Sequence, residues 1–129
     1  MVMLDYCMGK LRSIKALKNH ADRVFSTFIK SRDNYVCVLC GKTDISNHNG
    51  HLFKRGKWSL RFSEINCHCL CPSCNYLDNY EPQHYISWFL NKYGKEKYDE
   101  LYQISKQLLD KSAGSMRAYL EGIIEKYGK

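Results

Sequence analysis

Two pairs of cysteines in the middle of the chain have the spacing of metal ligands. Each pair is a Cys-x-x-Cys motif, formed by Cys37 and Cys40 and by Cys71 and Cys74, and thirty residues lie between the two motifs. Two intervening residues let both sulfurs of a pair face one side of a tight turn, so four thiolates can surround one tetrahedral Zn²⁺. The sequence therefore predicts a structural zinc that clamps the ends of the intervening segment together.

Side chains in and just after this segment suit phosphodiester hydrolysis, which needs a base to activate water and a cation to stabilise charge on the phosphate. His51 carries the side chain that titrates nearest neutrality, which suits the base. The oxygen of Asn75 can bind a hard cation such as Mg²⁺ or Mn²⁺. Asp78 or Asn79, one helical turn later on the same face, can complete the coordination. The alternative for His51 is a surface histidine in a zinc-bound loop.

The order and spacing of His51, Asn66 and Asn75 resemble the signature of HNH nucleases. The resemblance implies that all three belong to the catalytic machinery, and that Asn66 hydrogen-bonds across the loop to hold the strand of the base in register. It also implies a small ββα-metal core around the zinc.

Two positions depart from that signature. Gly50 stands where many HNH sites place an Asp or His metal ligand, so His48, Asn49 or Asp44 is needed to fill the coordination shell. Asn75 stands where many sites have His, which favours oxygen-preferring metals over zinc at the catalytic centre.

The elements that must position these side chains follow from periodicity. Between Lys10 and Lys30, apolar residues recur at three- and four-residue steps with basic residues on other faces, which predicts a basic amphipathic helix over about residues 10–33. Thr43–Asn49 is polar and turn-like. His51–Phe53 is predicted as a strand, followed by a basic loop around Gly56, and Arg61–Cys69 returns toward the second motif.

Helices are predicted for the remainder of the chain. Pro72 suits a first helical turn, which predicts a short helix over Ser73–Tyr80. Three further helical segments are predicted, separated by Gly94 and Gly114, and they cover about Pro82–Lys92, Glu96–Asp110 and Ser115–Lys126. Together these elements predict one α+β domain over residues 1–129, with a zinc-clamped core at 34–80 between the basic helix and a helical part at 81–129.

The charge distribution points to nucleic acid. Of a formal net charge of +7, the whole excess lies in residues 1–69, which carry twelve Lys and Arg against five Asp and Glu. A basic half of this kind is typical of a surface that contacts phosphates. Within the loop after His51, Trp58 can stack on an opened base or can be a local packing residue. The predicted DNA contacts are Lys54, Arg55, Lys57, Trp58 and Arg61 in the loop and Arg12, Lys15 and Lys18 on the helix.

Beyond these motifs, the chain resembles the NinG (Rap) recombination proteins of lambdoid phages over roughly residues 20–105. The resemblance is carried by a string of residues along both sides of the cysteine motifs: Ala21-Asp22-Arg23-Val24-Phe25-Ser26, Ile29, Arg32-Asp33, Cys37-x-x-Cys40-Gly41, Gly50-His51, Arg55-Gly56, Leu60-Arg61-Phe62, Asn66, His68, Cys71-x-x-Cys74-Asn75, Tyr85 and Tyr93-Gly94. It implies an HNH-related endonuclease that cuts Holliday junctions or D-loops during phage recombination. Because a four-way junction is two-fold symmetric, such an enzyme is expected to be a homodimer.

Two alternatives to this function remain open from the residues. One is an HNH endonuclease or nickase for ordinary duplex DNA, and the other is a non-catalytic zinc module that binds DNA.

The odd number of the seven cysteines and their paired spacing favour reduced thiols on a metal over disulfides, and hence a reducing compartment. With no apolar run of eighteen residues, the expected location is the cytoplasm, that of the host bacterium for a phage protein, with no membrane partner. Cys7, Cys67 and Cys69 are interpreted as spare thiols rather than a second metal site. His68 is interpreted as a strand residue near the zinc rather than as a ligand.

Overall fold

The chain is described by a computed structural model over residues 12–129. These residues group into two compact units: 12–28 with Asp110–Lys129, here the terminal unit, and Ile29–Leu109, here the central unit. Five α-helices and one two-stranded sheet occur in the described residues: α1 (Ile14–Arg32), β1 (His48–His51), β2 (Cys67–Leu70), α2 (Pro72–Leu77), α3 (Gln83–Tyr93), α4 (Lys95–Ser105) and α5 (Ala113–Tyr127). The fold is therefore mixed and helix-rich, with a small sheet.

The terminal unit contains most of α1 together with α5. Helix α1 begins after Ser13, whose hydroxyl accepts the N–H of Ala16 at 3.0 Å and so satisfies one of the unpaired donors of the first turn. The predicted amphipathic helix is confirmed, although its expected start at Lys10 lies outside the described residues. Tyr127 of α5 packs its ring against Phe25 and Phe28 of α1, with ring centroids 5.0 and 4.8 Å apart.

The first strand of the sheet begins three residues earlier in the chain than the sequence predicts and shares only His51 with the predicted strand. β1 and β2 are antiparallel, with His48 opposite Leu70 and His51 opposite Cys67. The predicted strand at 51–53 is wrong, because the N–H of Phe53 bonds to the side-chain oxygen of Asn66 at 2.8 Å instead of continuing the ladder. The turn predicted for 43–49 therefore ends where β1 begins.

The end of α1 fastens β2 within the central unit. Arg32 donates to the carbonyl oxygens of Glu64 at 2.8 Å and Cys67 at 2.7 Å, and the carboxylate of Asp33 accepts the N–H of Cys69 at 2.8 Å. Burial opposes the charge of Asp33, but hydrogen bonds from Arg32 and Cys69 outweigh it and lower the pKa of this carboxyl. These contacts place the strand that faces β1.

The remaining helices follow the predictions with shifted ends. Pro72 occupies the first turn of α2 as expected, but the helix stops at Leu77, so residues 78–80 are turns. Gly94 separates α3 from α4 with φ +89°, a conformation that favours glycine. Gly114 does not separate helices, because α5 has already begun at Ala113 after the Ser112 cap, whose N–H bonds to Asp110 at 2.9 Å.

Two apolar clusters fill the central unit. Leu70 and Tyr85 pack with Cys37 and Cys71, and Leu60 packs with Phe89 and Leu101. Among residues 12–129, no helix combines the length and apolar character needed to cross a membrane.

Candidate functional site

The four cysteines of the two motifs converge in the central unit. Their sulfur atoms all lie within 4.8 Å of one another, and those of Cys40 and Cys71 are 3.6 Å apart. A tetrahedral zinc with Zn–S bonds of about 2.3 Å separates its sulfurs by about 3.8 Å, so the cluster fits that ion. The predicted gathering of the cysteines is confirmed. In the described residues this is the one group of three or more His, Cys, Asp or Glu side chains that can hold a metal.

Local backbone structure creates each half of the cluster. In the first motif the N–H of Gly41 bonds to the carbonyl of Cys37 at 2.8 Å, and Gly41 has φ +82°. Buried Asn47 closes the same loop by donating to the carbonyls of Tyr35 and Lys42, each at 2.9 Å. In the second motif the sulfur of Cys71 caps α2 by accepting the N–H of Cys74 at 3.4 Å. The bonds at Gly41 and Cys74 are thus local, whereas Asn47 reaches Tyr35 twelve residues away.

The protonation of the cluster suits cation binding. Burial opposes ionisation of Cys37, yet hydrogen bonds from the backbone of Cys71, Cys40 and Leu39 lower the pKa of its thiol to about 7. Burial, followed by the neighbouring cysteine side chains, raises the pKa of Cys74. Four thiolates repel one another without a cation, so metal binding and loss of the thiol protons are coupled.

Cys67 and Cys69 lie on β2 apart from the cluster, as buried thiols. Burial raises the pKa of both thiols. Cys7 lies outside the described residues.

His51 ends β1 with its imidazole fixed by a backbone group. Its Nε2 lies 2.9 Å from the carbonyl oxygen of Arg61. A carbonyl oxygen only accepts, so Nε2 carries the proton and Nδ1 carries the lone pair. The bond therefore sets both the ring orientation and the tautomer of a base.

Asn66 is fully buried and holds the loop that follows β1. Its Oδ1 accepts the N–H of Phe53, and its Nδ2 donates to the carbonyls of Phe53 at 2.9 Å and Leu60 at 3.1 Å. Its own carbonyl accepts the N–H of Leu52 at 2.8 Å. These hydrogen bonds cross the loop between β1 and β2, while a catalytic role for Asn66 stays a prediction.

Asn75 meets β1 at His48 and Gly50. Its Nδ2 lies 3.1 Å from Nδ1 of His48, and its Oδ1 lies 3.4 Å from the position that a Cβ on Gly50 would occupy. That same Cβ would overlap the side chain of Leu70, so a side chain at position 50 has no room. His48, rather than residue 50, therefore supplies a side-chain nitrogen within hydrogen-bond distance of Asn75.

The two remaining predicted ligands lie beyond the end of α2. The carboxylate of Asp78, which is 5% exposed, accepts a hydrogen bond from the ammonium of Lys54. Asn79 is exposed in the turn, and its N–H bonds to the carbonyl of Tyr76 at 3.1 Å. Asp78 caps α2 with helical backbone angles and bonds its N–H to the carbonyl of Cys74 at 3.1 Å, so the expectation that either residue completes a cation site with Asn75 stays a prediction.

The predicted DNA contacts fall in different environments. Arg55 and Lys57 are exposed in the loop after β1. Arg61 is buried, donates to the carbonyl of Arg55 at 3.0 Å, and lies with its guanidinium 4.5 Å from the ring centre of Trp58. Trp58 is half-buried and packs near Phe62.

In the terminal unit, a guanidinium nitrogen of Arg12 lies 2.9 Å from Nδ1 of His20. Lys15 is exposed and Lys18 is half-buried on α1.

Two exposed tyrosines were not singled out by the sequence. Tyr76 and Tyr80 follow the second motif, are 64% and 68% exposed, and have ring centres 5.3 Å apart. The contact of Lys54 with Asp78 brings the basic loop against the turn that precedes Tyr80. The signal available in the sequence was their four-residue spacing, which is also common among packed residues.

Comparison with known proteins gives one match. A family model described as Bacteriophage Lambda NinG protein matches residues 7–118. No curated protein and no solved structure matches the chain.

Proposed function

The chain belongs to the bacteriophage Lambda NinG family, whose members are phage proteins related to recombination, and on that premise we propose that it is a metal-dependent endonuclease that cleaves branched DNA. One observation carries the proposal: the imidazole of His51 is held by the Arg61 carbonyl in the tautomer of a base, beside a loop pinned by buried Asn66. An unused surface histidine needs neither constraint.

In the proposed reaction, Nδ1 of His51 takes a proton from a water molecule as the water oxygen attacks phosphorus. The P–O bond to the leaving sugar oxygen breaks, and that oxygen gains a proton from solvent. Nε2 remains bonded to the Arg61 carbonyl, which stabilises the imidazolium that forms. Asn66 keeps the loop, and with it the Arg61 carbonyl, in place throughout.

On opening their mutual hydrogen bond, His48 and Asn75 would hold the catalytic cation through a ring nitrogen and Oδ1 respectively. When bound, that cation neutralises charge on the phosphate and the leaving oxygen. One imidazole and one amide leave other positions for water and phosphate oxygens, as is usual at phosphoryl-transfer sites. Because imidazole suits Mn²⁺ better than Mg²⁺, the donor set favours Mn²⁺. The four cysteines would hold the structural zinc.

Exposed cations and aromatic rings support DNA as the substrate. Arg55 and Lys57 can contact phosphates, which positions the backbone without reading the sequence. Tyr76 and Tyr80 expose rings next to Asn75 and Asn79, and such rings stack on unpaired bases. Branched DNA offers unpaired or opened bases near the branch, whereas continuous duplex does not. A homodimer would place two such sites on a two-fold symmetric junction.

The decisive experiment compares wild type with His51→Ala on a synthetic four-way junction and on linear duplex of the same sequence, with Mn²⁺ or Mg²⁺. We expect wild type to cut the junction faster than the duplex and His51→Ala to lose at least about 100-fold in rate. His84→Ala is the matched control, since His84 is an exposed histidine on α3. Cutting by His51→Ala at the wild-type rate would refute the assignment, and equal rates on both substrates would favour the duplex enzyme.

A non-catalytic zinc module that binds DNA is the second candidate, and Gly50 favours it. The usual ligand position carries no side chain, and Leu70 fills the space that one would need. If this reading holds, wild type binds junction DNA tightly, cuts nothing with either cation, and loses no affinity in His51→Ala. Binding by electrophoretic mobility shift, measured beside cleavage on the same samples, separates the two candidates.

A further inference from the structure

A buried hydroxyl from α3 reaches the strand that carries His51. Tyr85 is fully buried, and its hydroxyl donates to the carbonyl oxygen of Gly50 at 2.9 Å. The hydroxyl oxygen of Tyr85 also lies 3.0 Å from Nδ1 of His68. A phenol has one proton, which Tyr85 donates to the carbonyl of Gly50, so the Tyr85 oxygen must accept a hydrogen bond from the Nδ1–H of His68.

The other ring nitrogen of His68 extends this series of hydrogen bonds to Tyr93. Its Nε2 lies 3.1 Å from the hydroxyl of Tyr93. Since Nδ1 already carries the proton of the neutral ring, Nε2 accepts from Tyr93. Burial lowers the pKa of His68 to about 4, so the ring is neutral near pH 7. The hydrogen bonds therefore run in one direction, from Tyr93 through His68 and Tyr85 to the Gly50 carbonyl.

Packing alone does not require these polar groups. His68 is 2% exposed, and its ring lies edge-on to Trp88 with ring centres 4.7 Å apart and near Phe89. An apolar side chain would fill such a site without the cost of burying an imidazole. A fully satisfied polar chain instead fixes one arrangement of the groups it joins.

The last acceptor in this series of hydrogen bonds belongs to the peptide group that joins Gly50 to His51. The Gly50 carbonyl belongs to the same planar unit as the N–H of His51, so holding one fixes the other. The imidazole is then constrained from two sides, by the Arg61 carbonyl at the ring and by Tyr85 at the backbone.

From this geometry we propose that Tyr85, oriented by His68 and Tyr93, is a positioning residue that sets the angle at which His51 faces the phosphate. The inference rests on the proposed function of His51. It adds a role for residues on α3 and β2 that contact neither DNA nor cation.

Variants that each lack one hydroxyl group test by kinetics whether these hydrogen bonds position His51. In Tyr85→Phe we expect the kcat for junction cleavage to fall about 10- to 100-fold, as for other residues that orient a catalytic group, with KM within about twofold and zinc content unchanged. Tyr93→Phe should lower kcat only a few-fold, because the bond to Gly50 survives. Tyr98→Phe is the control, because Tyr98 lies on α4 and takes no part in the hydrogen bonds that join Tyr93, His68, Tyr85 and Gly50. Its half-buried ring packs against the ring of Phe53. Equal kcat values for Tyr85→Phe and Tyr98→Phe would overturn the proposal.

A second measurement does not depend on cleavage. In protein with ¹⁵N-labelled histidine, NMR should show His68 of wild type with its proton on Nδ1, the less common tautomer. In Tyr85→Phe the proton should move to Nε2, where Tyr93 can accept it, and the His51 ring signals should shift. Wild type with the proton on Nε2, or His51 signals unchanged in Tyr85→Phe, would overturn the proposal.

The two measurements separate the failures. If wild type cuts no DNA while the tautomer and His51 shifts appear as expected, the proposed function fails and the positioning of His51 stands. Should Tyr85→Phe not fold, the tautomer of His68 in wild type alone decides whether the hydrogen bonds run from Tyr93 through His68 and Tyr85 to Gly50.

Discussion

The cysteine cluster and the region around His51 both lie beside β2 and α2, but different kinds of contact build them. The tight turn of each cysteine motif is made by a hydrogen bond within four residues, Gly41 to Cys37 and Cys74 to Cys71. The His51 region is made by contacts that cross ten to thirty-five residues of chain, including Arg61 to His51 and Tyr85 to Gly50. A local motif can form its half of the site before the rest of the unit folds, whereas the second region exists only in the folded unit.

The largest effect should come from breaking the cluster. Cys40 is an exposed cysteine of the four, so Cys40→Ser removes a ligand with little loss of packing. Structural zinc contributes roughly 10–16 kcal/mol of apparent binding free energy, comparable with the whole stability of a small domain. We expect the variant to lose stoichiometric zinc and the cooperative melting of the central unit by circular dichroism. Ser73→Ala, an exposed change inside the second motif, is the control, and retention of zinc by Cys40→Ser would contradict the assignment.

The next effect should come from the pinned loop. Asn66→Ala leaves the N–H and carbonyl of Phe53 and the carbonyl of Leu60 without their partner, at a cost of about 3–5 kcal/mol in the free energy of unfolding. Urea denaturation should show this loss with zinc still bound, because no cysteine contact changes. Asn91→Ala, at an exposed position of α3, should change stability by less than about 0.5 kcal/mol. A similarly small change for Asn66→Ala would show that the loop is not held by this side chain.

His68 should add a pH dependence of its own to the free energy of unfolding, separate from that of the cysteine cluster. Burial lowers the pKa of His68 from 6.5 to about 4, so the unfolded state binds the extra proton between those values and stability falls as pH falls. Between pH 7 and 5 the loss from this group is about 2 kcal/mol. The cysteines also take up protons in acid, so the test is the difference between wild type and His68→Gln, both loaded with zinc. Parallel pH profiles for the two proteins would rule out the contribution of His68.

The smallest effect should come from Gly50. A Cβ there overlaps Leu70, so Gly50→Ala should cost about 1–2 kcal/mol. Gly56→Ala is the matched control, since a Cβ on Gly56 meets open space. Combining Gly50→Ala with Leu70→Ala should give less than the sum of the two single losses, because the smaller side chain removes the overlap. An additive double mutant would show that the two positions do not compete for this space.

The sequence predicted the elements whose signals are local. Amphipathic spacing predicted α1, Pro72 predicted the start of α2, and Gly94 predicted the break between α3 and α4. It misplaced β1, because the strand is polar and its end is set by the Asn66 side chain from thirteen residues away. It misplaced the end of α2, which stops at Leu77, and it did not predict the contact of Asp78 with Lys54. One domain over residues 1–129 stays a prediction.

Residue types and spacing by themselves predicted that the four cysteines gather, because two intervening residues constrain a pair of sulfurs whatever surrounds them. They also nominated His51, Asn66 and Asn75. Only the tertiary structure decided that Arg61 fixes the His51 tautomer, that His48 meets Asn75 while Leu70 fills the space at Gly50, and that His68 joins two tyrosines. The physical reason is that a hydrogen bond depends on distances of about 3 Å between groups far apart in the chain, and packing alone sets those distances.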